Sequence, residues 1–387
     1  MQEFESIRPY RDHEVPGVLA RLLDDPRLVE GAAPLMLPAL ASLAPPFAHG
    51  VVGLMLRWKA RSIGSVDDFQ LFLARYFARL IRNTIAELTV SGLEGLTRGR
   101  PHLYISNHRD ITLDTALVNY TLHKAGFATP EAAVGDNLFS DALAADLMRL
   151  NKSFMIERSV TGKRAVYRAL TRTSHYIQHV LGAGHSVWIA QREGRSKDGF
   201  DRTDPALLKM IALAWRKDSE SFGALLEHIN LVPVAISYEL DPCDRLKAHE
   251  LAVLAREGSY RKGPNEDLQS IISGLTGYKG RVHVHFGSPM RGAFADSDAL
   301  AVALDGEIVG GLKVFPTQAA AARELAYEPI PETPEWLPDV RSAFDQHLAE
   351  CPPEERPFLL AGYGNVIRNR QALGIPVDWV VRGSVVS

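Results

Sequence analysis

The stretch Ile105-Ser-Asn-His-Arg-Asp-Ile-Thr-Leu-Asp114 joins two periodicities. The apolar run Leu103 to Ile105 reads as a buried strand that stops at Ser106-Asn107. From Thr112 onward, Leu113, Ala116, Leu117 and Tyr120 repeat at helical spacing, with Thr112 as the N-cap. His108 is thereby placed on a strand-to-helix turn, where side chains point into the crevice beyond the strand ends. Asp110 and Asp114 both lie close enough in sequence to hold its ring. An imidazole oriented by a carboxylate is a general base near neutral pH. A lone His near an Asp is more often structural, so the rest of the chain must decide.

Working outward, the same alternation continues after Gly92. Strands are expected near 102–106, 132–135, 153–156, 186–190, 231–237 and 281–286, and helices near 112–125, 139–150, 161–182, 204–217, 245–256 and 265–274. Such alternation predicts an α/β fold with a mixed, largely parallel sheet flanked by helices. Pro233, at the start of the run 231–237, predicts an edge or bulged strand. His283 and His285 alternate with Val282 and Val284, so both should face one side of the last strand, solvated or hydrogen-bonded. From Ala295 the chain is again helical, with Pro-rich joints at 329–337 and Pro352-Pro353. We therefore expect a helical N-terminal region over 1–90, an α/β domain over 91–290 and a helical C-terminal region over 291–387.

In the N-terminal region, Ser65-Val-Asp-Asp68 resembles a capping box that opens a helix to about Leu88, with Phe69, Phe72, Leu73, Tyr76, Phe77, Leu80 and Ile81 on one core-facing stripe. From Gly31 to Leu56 there is no Lys, Arg, Asp or Glu. Pro34, Pro38, Pro45 and Pro46 break this stretch into pieces too short to cross a bilayer as one helix. It is either a buried helical pair or an apolar segment in the membrane interface, with Arg57, Lys59 and Arg61 reaching headgroups.

The bulk composition excludes several classes. Apolar content of 46% and charged content of 23% describe a globular chain rather than a disordered one. A net charge of −3 argues against general nucleic-acid binding. The charge is unevenly spread, however: residues 149–217 hold fourteen lysines and arginines against five acids. That surplus suits a phosphate-bearing ligand or an anionic membrane surface. Cys243 and Cys351 are too few and too far apart for a disulfide framework or a zinc site, and the N-terminus lacks the pattern of a signal peptide. We expect an intracellular protein, peripheral on the cytoplasmic face of a membrane.

Three further stretches fall at predicted strand ends. Asn151-Lys-Ser-Phe-Met-Ile-Glu-Arg158 ends a strand with a fixed cation, and Ile189-Ala-Gln-Arg-Glu-Gly-Arg-Ser-Lys-Asp-Gly199 leaves another through a loop holding Arg192, Arg195 and Lys197 around Gly194. The third is Leu231-Val-Pro-Val-Ala-Ile-Ser237. If the strands run parallel, His108, Arg158 and the 191–199 loop converge, which places a base beside cations able to grip phosphate.

Together these motifs resemble the glycerolipid acyltransferases, which include glycerol-3-phosphate and 1-acylglycerol-3-phosphate O-acyltransferases. Asn107-His108-Arg109 through Asp114 is similar to the family's catalytic block, Phe154-Met-Ile-Glu-Arg158 to its second, Glu193-Gly194-Arg195-Ser196 to its third and Val232-Pro-Val-Ala235 to its fourth. The resemblance covers roughly residues 90–290. Two departures stand out. The family usually places Asp five residues after His, a position held here by Leu113, so Asp114 and Asp110 are alternatives for the ring's partner. Its third block commonly reads Glu-Gly-Thr-Arg, whereas Thr is missing here, and Arg192 and Lys197 stand as substitutes for Arg195.

The resemblance implies transfer of a fatty acyl group from acyl-CoA or acyl carrier protein to a hydroxyl of a phosphorylated glycerolipid acceptor. It assigns His108 as base, Asp114 or Asp110 as its orienting carboxylate, and Arg158, Arg192, Arg195 and Lys197 as phosphate ligands. Glu193 would orient those cations, and the backbone near Gly194 would meet the oxyanion. No cofactor and no metal are expected. The alternative is a non-catalytic lipid-binding protein that kept the fold and lost turnover through the shifted Asp.

Overall fold

Prolines decide where the charge-free stretch breaks. The computed structural model describes residues 2–216, 221–263, 265–330, 335–377 and 384–386. Helix α1 (Val15–Asp24) is followed by α2 (Pro26–Met36), α3 (Pro38–Leu43) and α4 (Pro45–Ala60), the last three each beginning on a proline. Proline suits that position because its fixed φ is helical and its missing N–H would be unpaired there anyway. The capping box forms: Asp68 N–H donates to Ser65 Oγ at 3.0 Å and Ser65 N–H to Asp68 Oδ2 at 3.0 Å. It opens α5 (Val66–Thr84), which stops short of the expected Leu88. The chain then forms a strand that the sequence reading missed, β1 (Glu87–Ser91).

Next come β2 (Leu103–Ser106), α6 (Leu113–Lys124), β3 (Glu131–Gly135), α7 (Ala142–Leu150), β4 (Ser153–Ile156), α8 (Lys163–Gly182) and β5 (Val187–Ala190). These are followed by α9 (Pro205–Ala212), α10 (Phe222–Ile229), β6 (Leu231–Tyr238), α11 (Asp244–Glu257), α12 (Glu266–Thr276) and β7 (Arg281–Phe286). Helices α13 (Ser297–Gly311), α14 (Pro316–Glu324), α15 (Pro338–Glu350) and α16 (Arg356–Ala372) and the short β8 (Ser384–Val385) complete the chain. The helix expected to reach 217 ends as a 3-10 turn at Trp215, and residue 217 lies outside the described residues, as do 331–334 of the first Pro-rich joint. The helix α10 was not foreseen.

The chain divides into two compact units. The first comprises residues up to Arg79 together with Pro130–Tyr176. In it β3 and β4 pair in parallel, from Ala132↔Ser153 to Gly135↔Ile156. Val15, Val18, Leu19, Leu22, Ile63, Val66, Phe69 and Leu150 form one core, and Ala33, Met36, Ala48 and Val52 a smaller one between the short helices.

The second unit comprises Leu80–Thr129 and Ile177–Ser387. Its strands lie in the order β5-β2-β6-β7-β1-β8. β2 pairs in parallel with both β5 and β6, so the ends at Ser106, Ala190 and Tyr238 gather on one side. β7 runs antiparallel to β6 and parallel to β1. The fold is thus α/β with a mixed, largely parallel sheet flanked by helices. β6 is a central strand, which corrects the edge or bulge expected from Pro233. The Pro233 nitrogen falls where the ladder ends: Val234 faces Phe286, the last residue of β7, and Pro233 contributes only its carbonyl, to Gly287 N–H at 2.8 Å. His283 and His285 are hydrogen-bonded, sharing the Ser91 hydroxyl at 3.0 and 2.8 Å. Burial holds His283 neutral, with its pKa lowered to about 3.

Candidate active site

After Ser106 the chain leaves the sheet, and the Asn107 side chain continues the ladder in place of backbone. Its Nδ2 donates to Ile236 O at 3.0 Å and its Oδ1 accepts from Ile236 N–H at 2.8 Å. This pins the next residue, His108, at the rim of β2. The His108 Nδ1 lies 2.8 Å from Asp114 Oδ2, and the ring meets Trp188 edge-to-face at 6.1 Å between centroids.

Asp114 sits in the first turn of α6, where the helix dipole favours negative charge. Its Oδ2 also accepts the N–H groups of Arg109 (2.6 Å) and Asp110 (2.9 Å), and its Oδ1 the hydroxyl of Tyr238 (2.7 Å). Burial alone would push this carboxyl up, but the hydrogen bond and charge of His108, with the other donors, hold it below the usual range. Ionised, Asp114 can only accept, so Nδ1 carries a proton, and in the neutral ring the lone pair is on Nε2.

Asp110 does something else. Its Oδ1 accepts the N–H groups of Thr112 (2.9 Å) and Leu113 (2.7 Å) and so caps α6, whereas Thr112 makes no side-chain cap bond. Thr112 was the expected cap; the longer reach of the Asx turn takes its place. Burial, then the charge of Asp114, raises the Asp110 pKa. Of the two candidates, Asp114 is the carboxylate that meets the ring.

The 191–199 loop is tied to the same turn by Ser196 N–H, which donates to His108 O at 2.7 Å. Gly194 and Gly199 both have left-handed backbone, φ +74° and +76°. Glu193 and Gly194 are exposed, while Arg192 and Arg195 are half-buried. Arg195 Nη2 reaches Ser270 Oγ at 3.4 Å, and Arg192 lies 4.0 Å from Asp198. The buried nitrogens Arg195 Nη1 and Arg192 Nε have no hydrogen-bond partner among the described residues. Lys197 instead forms an ion pair with Glu250. Arg158 belongs to the first unit, just past β4, where its N–H donates to Asp136 Oδ2 at 3.0 Å.

Sequence reasoning missed Tyr238, the partner of Asp114, and the supports of Arg109. That guanidinium is paired with Asp201 Oδ2 at 2.5 Å, and its carbonyl accepts from the buried Lys247 at 2.6 Å. A cavity of about 40 Å³, bounded by Arg109, Lys197, Tyr238, Lys247 and Tyr363, has room for a few waters. No cluster of three or more His, Cys, Asp or Glu suited to a metal occurs among the described residues.

Among solved structures, the 1-acyl-sn-glycerophosphate (LPA) acyltransferase PlsC from Thermotoga maritima aligns at 17% identity with a TM-score of 0.39, over 73% of this chain and 93% of its own. A curated glycerol-3-phosphate acyltransferase from Hamiltonella defensa subsp. Acyrthosiphon pisum (strain 5AT) is 28% identical over 200 residues, which is 50% of this chain. The chain spans only 22% of that relative's length. The family model Acyltransferase matches residues 87–237, a span that holds all four motifs and the His108–Asp114 turn. Residues 87–237 thus match the acyltransferase family, and this match and the curated relative support the glycerolipid acyltransferases as the family that the segment resembles.

Proposed function

We propose that the chain transfers a fatty acyl group from a thioester, acyl-CoA or acyl carrier protein, to a hydroxyl of glycerol 3-phosphate or of a lysophospholipid such as 1-acylglycerol 3-phosphate. The observation that carries this reading is the 2.8 Å contact between His108 Nδ1 and Asp114 Oδ2 on the strand-to-helix turn. His108 Nε2 takes the acceptor's hydroxyl proton as that oxygen attacks the thioester carbonyl. Asp114 steadies the imidazolium, as the carboxylate does in a catalytic triad. When the tetrahedral intermediate collapses, the C–S bond breaks and the leaving thiolate takes the proton back from His108. Transfer is direct, with no acyl-enzyme.

Arg192 and Arg195, which each have a buried N–H group with no partner among the described residues, would hold the acceptor phosphate; Arg158 is proposed as a phosphate ligand on its motif alone. Lys197, paired with Glu250, would serve through the loop's overall charge. Glu193 would orient the cations, and backbone N–H groups near Gly194 would receive the oxyanion. The exposed apolar side chains Leu35, Leu43, Phe47, Leu54, Met55 and Trp58 on α2–α4 support peripheral attachment to a membrane surface, which we propose to be the cytoplasmic face. No helix among the described residues is long and apolar enough to cross a membrane.

The test offers the purified protein palmitoyl-CoA or palmitoyl-acyl carrier protein with a mixture of glycerol 3-phosphate and lysophospholipids, and identifies products by mass spectrometry. An acylated phosphoglycerol product that His108→Ala fails to form is expected. Thioester binding without any product, at every acceptor, would favour the non-catalytic alternative.

A further inference from the structure

Helix α16 lies far beyond the residues that match the family model, yet it holds the backbone of the loop bearing the candidate phosphate cations. Asn365 Nδ2 donates to Asp198 O at 2.8 Å, and Asn369 Nδ2 to Asp201 O at 2.9 Å. Between them, a Cβ on Gly199 would stand 2.3 Å from Gly362 O, so loop and helix backbones meet directly. From the other side Arg109 Nη2 donates to Gly199 O at 3.2 Å and Ser196 N–H to His108 O at 2.7 Å. The carbonyls of 198, 199 and 201 are thus fixed by three side chains, two of them from α16. The loop has no ladder of its own to set its path.

We propose that α16 is a working part of the substrate site. Asn365 and Asn369 are positioning residues that hold the 191–201 loop, and with it Arg192 and Arg195, in register with His108 for a phosphorylated acceptor. The proposal rests on the acyltransferase reading above. It makes the C-terminal helix necessary to recognition, and the matched segment 87–237 insufficient for it. Tyr327 sets the amide's orientation: its hydroxyl donates to Asn365 Oδ1 at 3.0 Å, which turns Nδ2 toward the loop.

The test uses the full chain. Asn365→Asp keeps the shape and the Tyr327 contact but removes the donor, and Tyr327→Phe removes one oxygen and leaves the amide unoriented. With palmitoyl-CoA and whichever of glycerol 3-phosphate or 1-oleoylglycerol 3-phosphate the wild type acylates, each variant should raise the apparent KM for the acceptor. The expected rise is about tenfold for Asn365→Asp and smaller for Tyr327→Phe, with kcat and the KM for palmitoyl-CoA changing much less. Amide exchange over 194–201 should quicken while α6 keeps its protection. Unchanged acceptor KM and unchanged exchange overturn the proposal, as does a fall in kcat with both KM values fixed. If the wild type acylates neither acceptor, the acyltransferase reading fails, and the exchange comparison alone still decides whether α16 clamps the loop.

Discussion

Asp114 gathers four hydrogen bonds on two oxygens, and this full complement suits it to orient the ring. It cannot rotate or take up a proton without leaving buried donors unmatched, from Arg109, Asp110, Tyr238 or the His108 ring. His108→Ala should therefore lower the transfer rate by about 10²–10⁴ with the fold intact by circular dichroism; retention of more than a tenth of the wild-type rate would remove His108 from the role of base. Asp114→Asn should approach that loss: the amide oxygen can take the place of Oδ2 before the ring and the N–H groups of 109 and 110, but the negative charge that steadies the imidazolium is gone. Asp110→Asn keeps the oxygen that caps α6, so its effect should be mild, and the reverse order of severity would transfer the orienting role to Asp110. Tyr238→Phe removes only the donor on Asp114 Oδ1. A loss of about one hydrogen bond's worth, roughly five- to twentyfold, is expected in kcat with KM values held. A rise in KM alone would show that Tyr238 faces substrate instead.

At the scale of elements, the turn after β2 depends on a helix far away in sequence. α12 crosses Asp110 at Gly274, where a Cβ would stand 2.1 Å from Asp110 Oδ2. Gly274→Ala should push Asp110 off the N–H groups it caps, costing about 1–3 kcal/mol in urea unfolding and lowering activity with it. Gly306→Ala, in the middle of α13 with nothing within 4 Å of the new methyl group, should instead stabilise by about 0.5–1 kcal/mol. Equal effects at the two glycines would contradict the close approach. Which elements the sequence disclosed follows from similar local physics. Strands such as 103–106 and 153–156 are short apolar runs bounded by turn residues, and they stand out. β1 stayed hidden because Leu80, Ile81, Ile85 and Leu88 continue the spacing of α5, so the strand read as its last turn. The four motifs and the basic loop 191–199 were legible because each is contiguous. The choice between Asp110 and Asp114 was not, since both are in reach and only the start of α6 decides which faces the ring. Tyr238 and Asn365 act on partners 124 and 167 residues away, and a partnership across that separation leaves no periodic trace.

For the molecule as a whole, the open question is what covers the apolar side of α2–α4. Leu43 is 85% exposed, Leu54 72% and Trp58 70%, on helices that bury only a small core of their own. Leaving three such side chains in water is costly, since burying each is worth about 1.5–3 kcal/mol. Arg57 and Lys59 in the last turn of α4 lie beside them, an arrangement suited to a bilayer interface with anionic headgroups. Removing the N-terminal 60 residues would be a poor test, because Val15, Val18, Leu19 and Leu22 pack with Val66, Phe69 and Leu150 and their loss would open a core. The variant Leu43→Ser, Leu54→Ser, Trp58→Ser changes exposed positions only, so its melting temperature should match the wild type within a few degrees. Its binding to vesicles containing phosphatidylglycerol should fall by tenfold or more, given that about 1.4 kcal/mol is a factor of ten. Arg57→Glu with Lys59→Glu should weaken binding at low salt and much less at high salt, where such charges are screened. Carbonate or high salt should strip the wild-type protein from membranes. Undiminished vesicle binding by the triple-serine variant, or protein that resists carbonate extraction, would place the membrane contact elsewhere or make it integral.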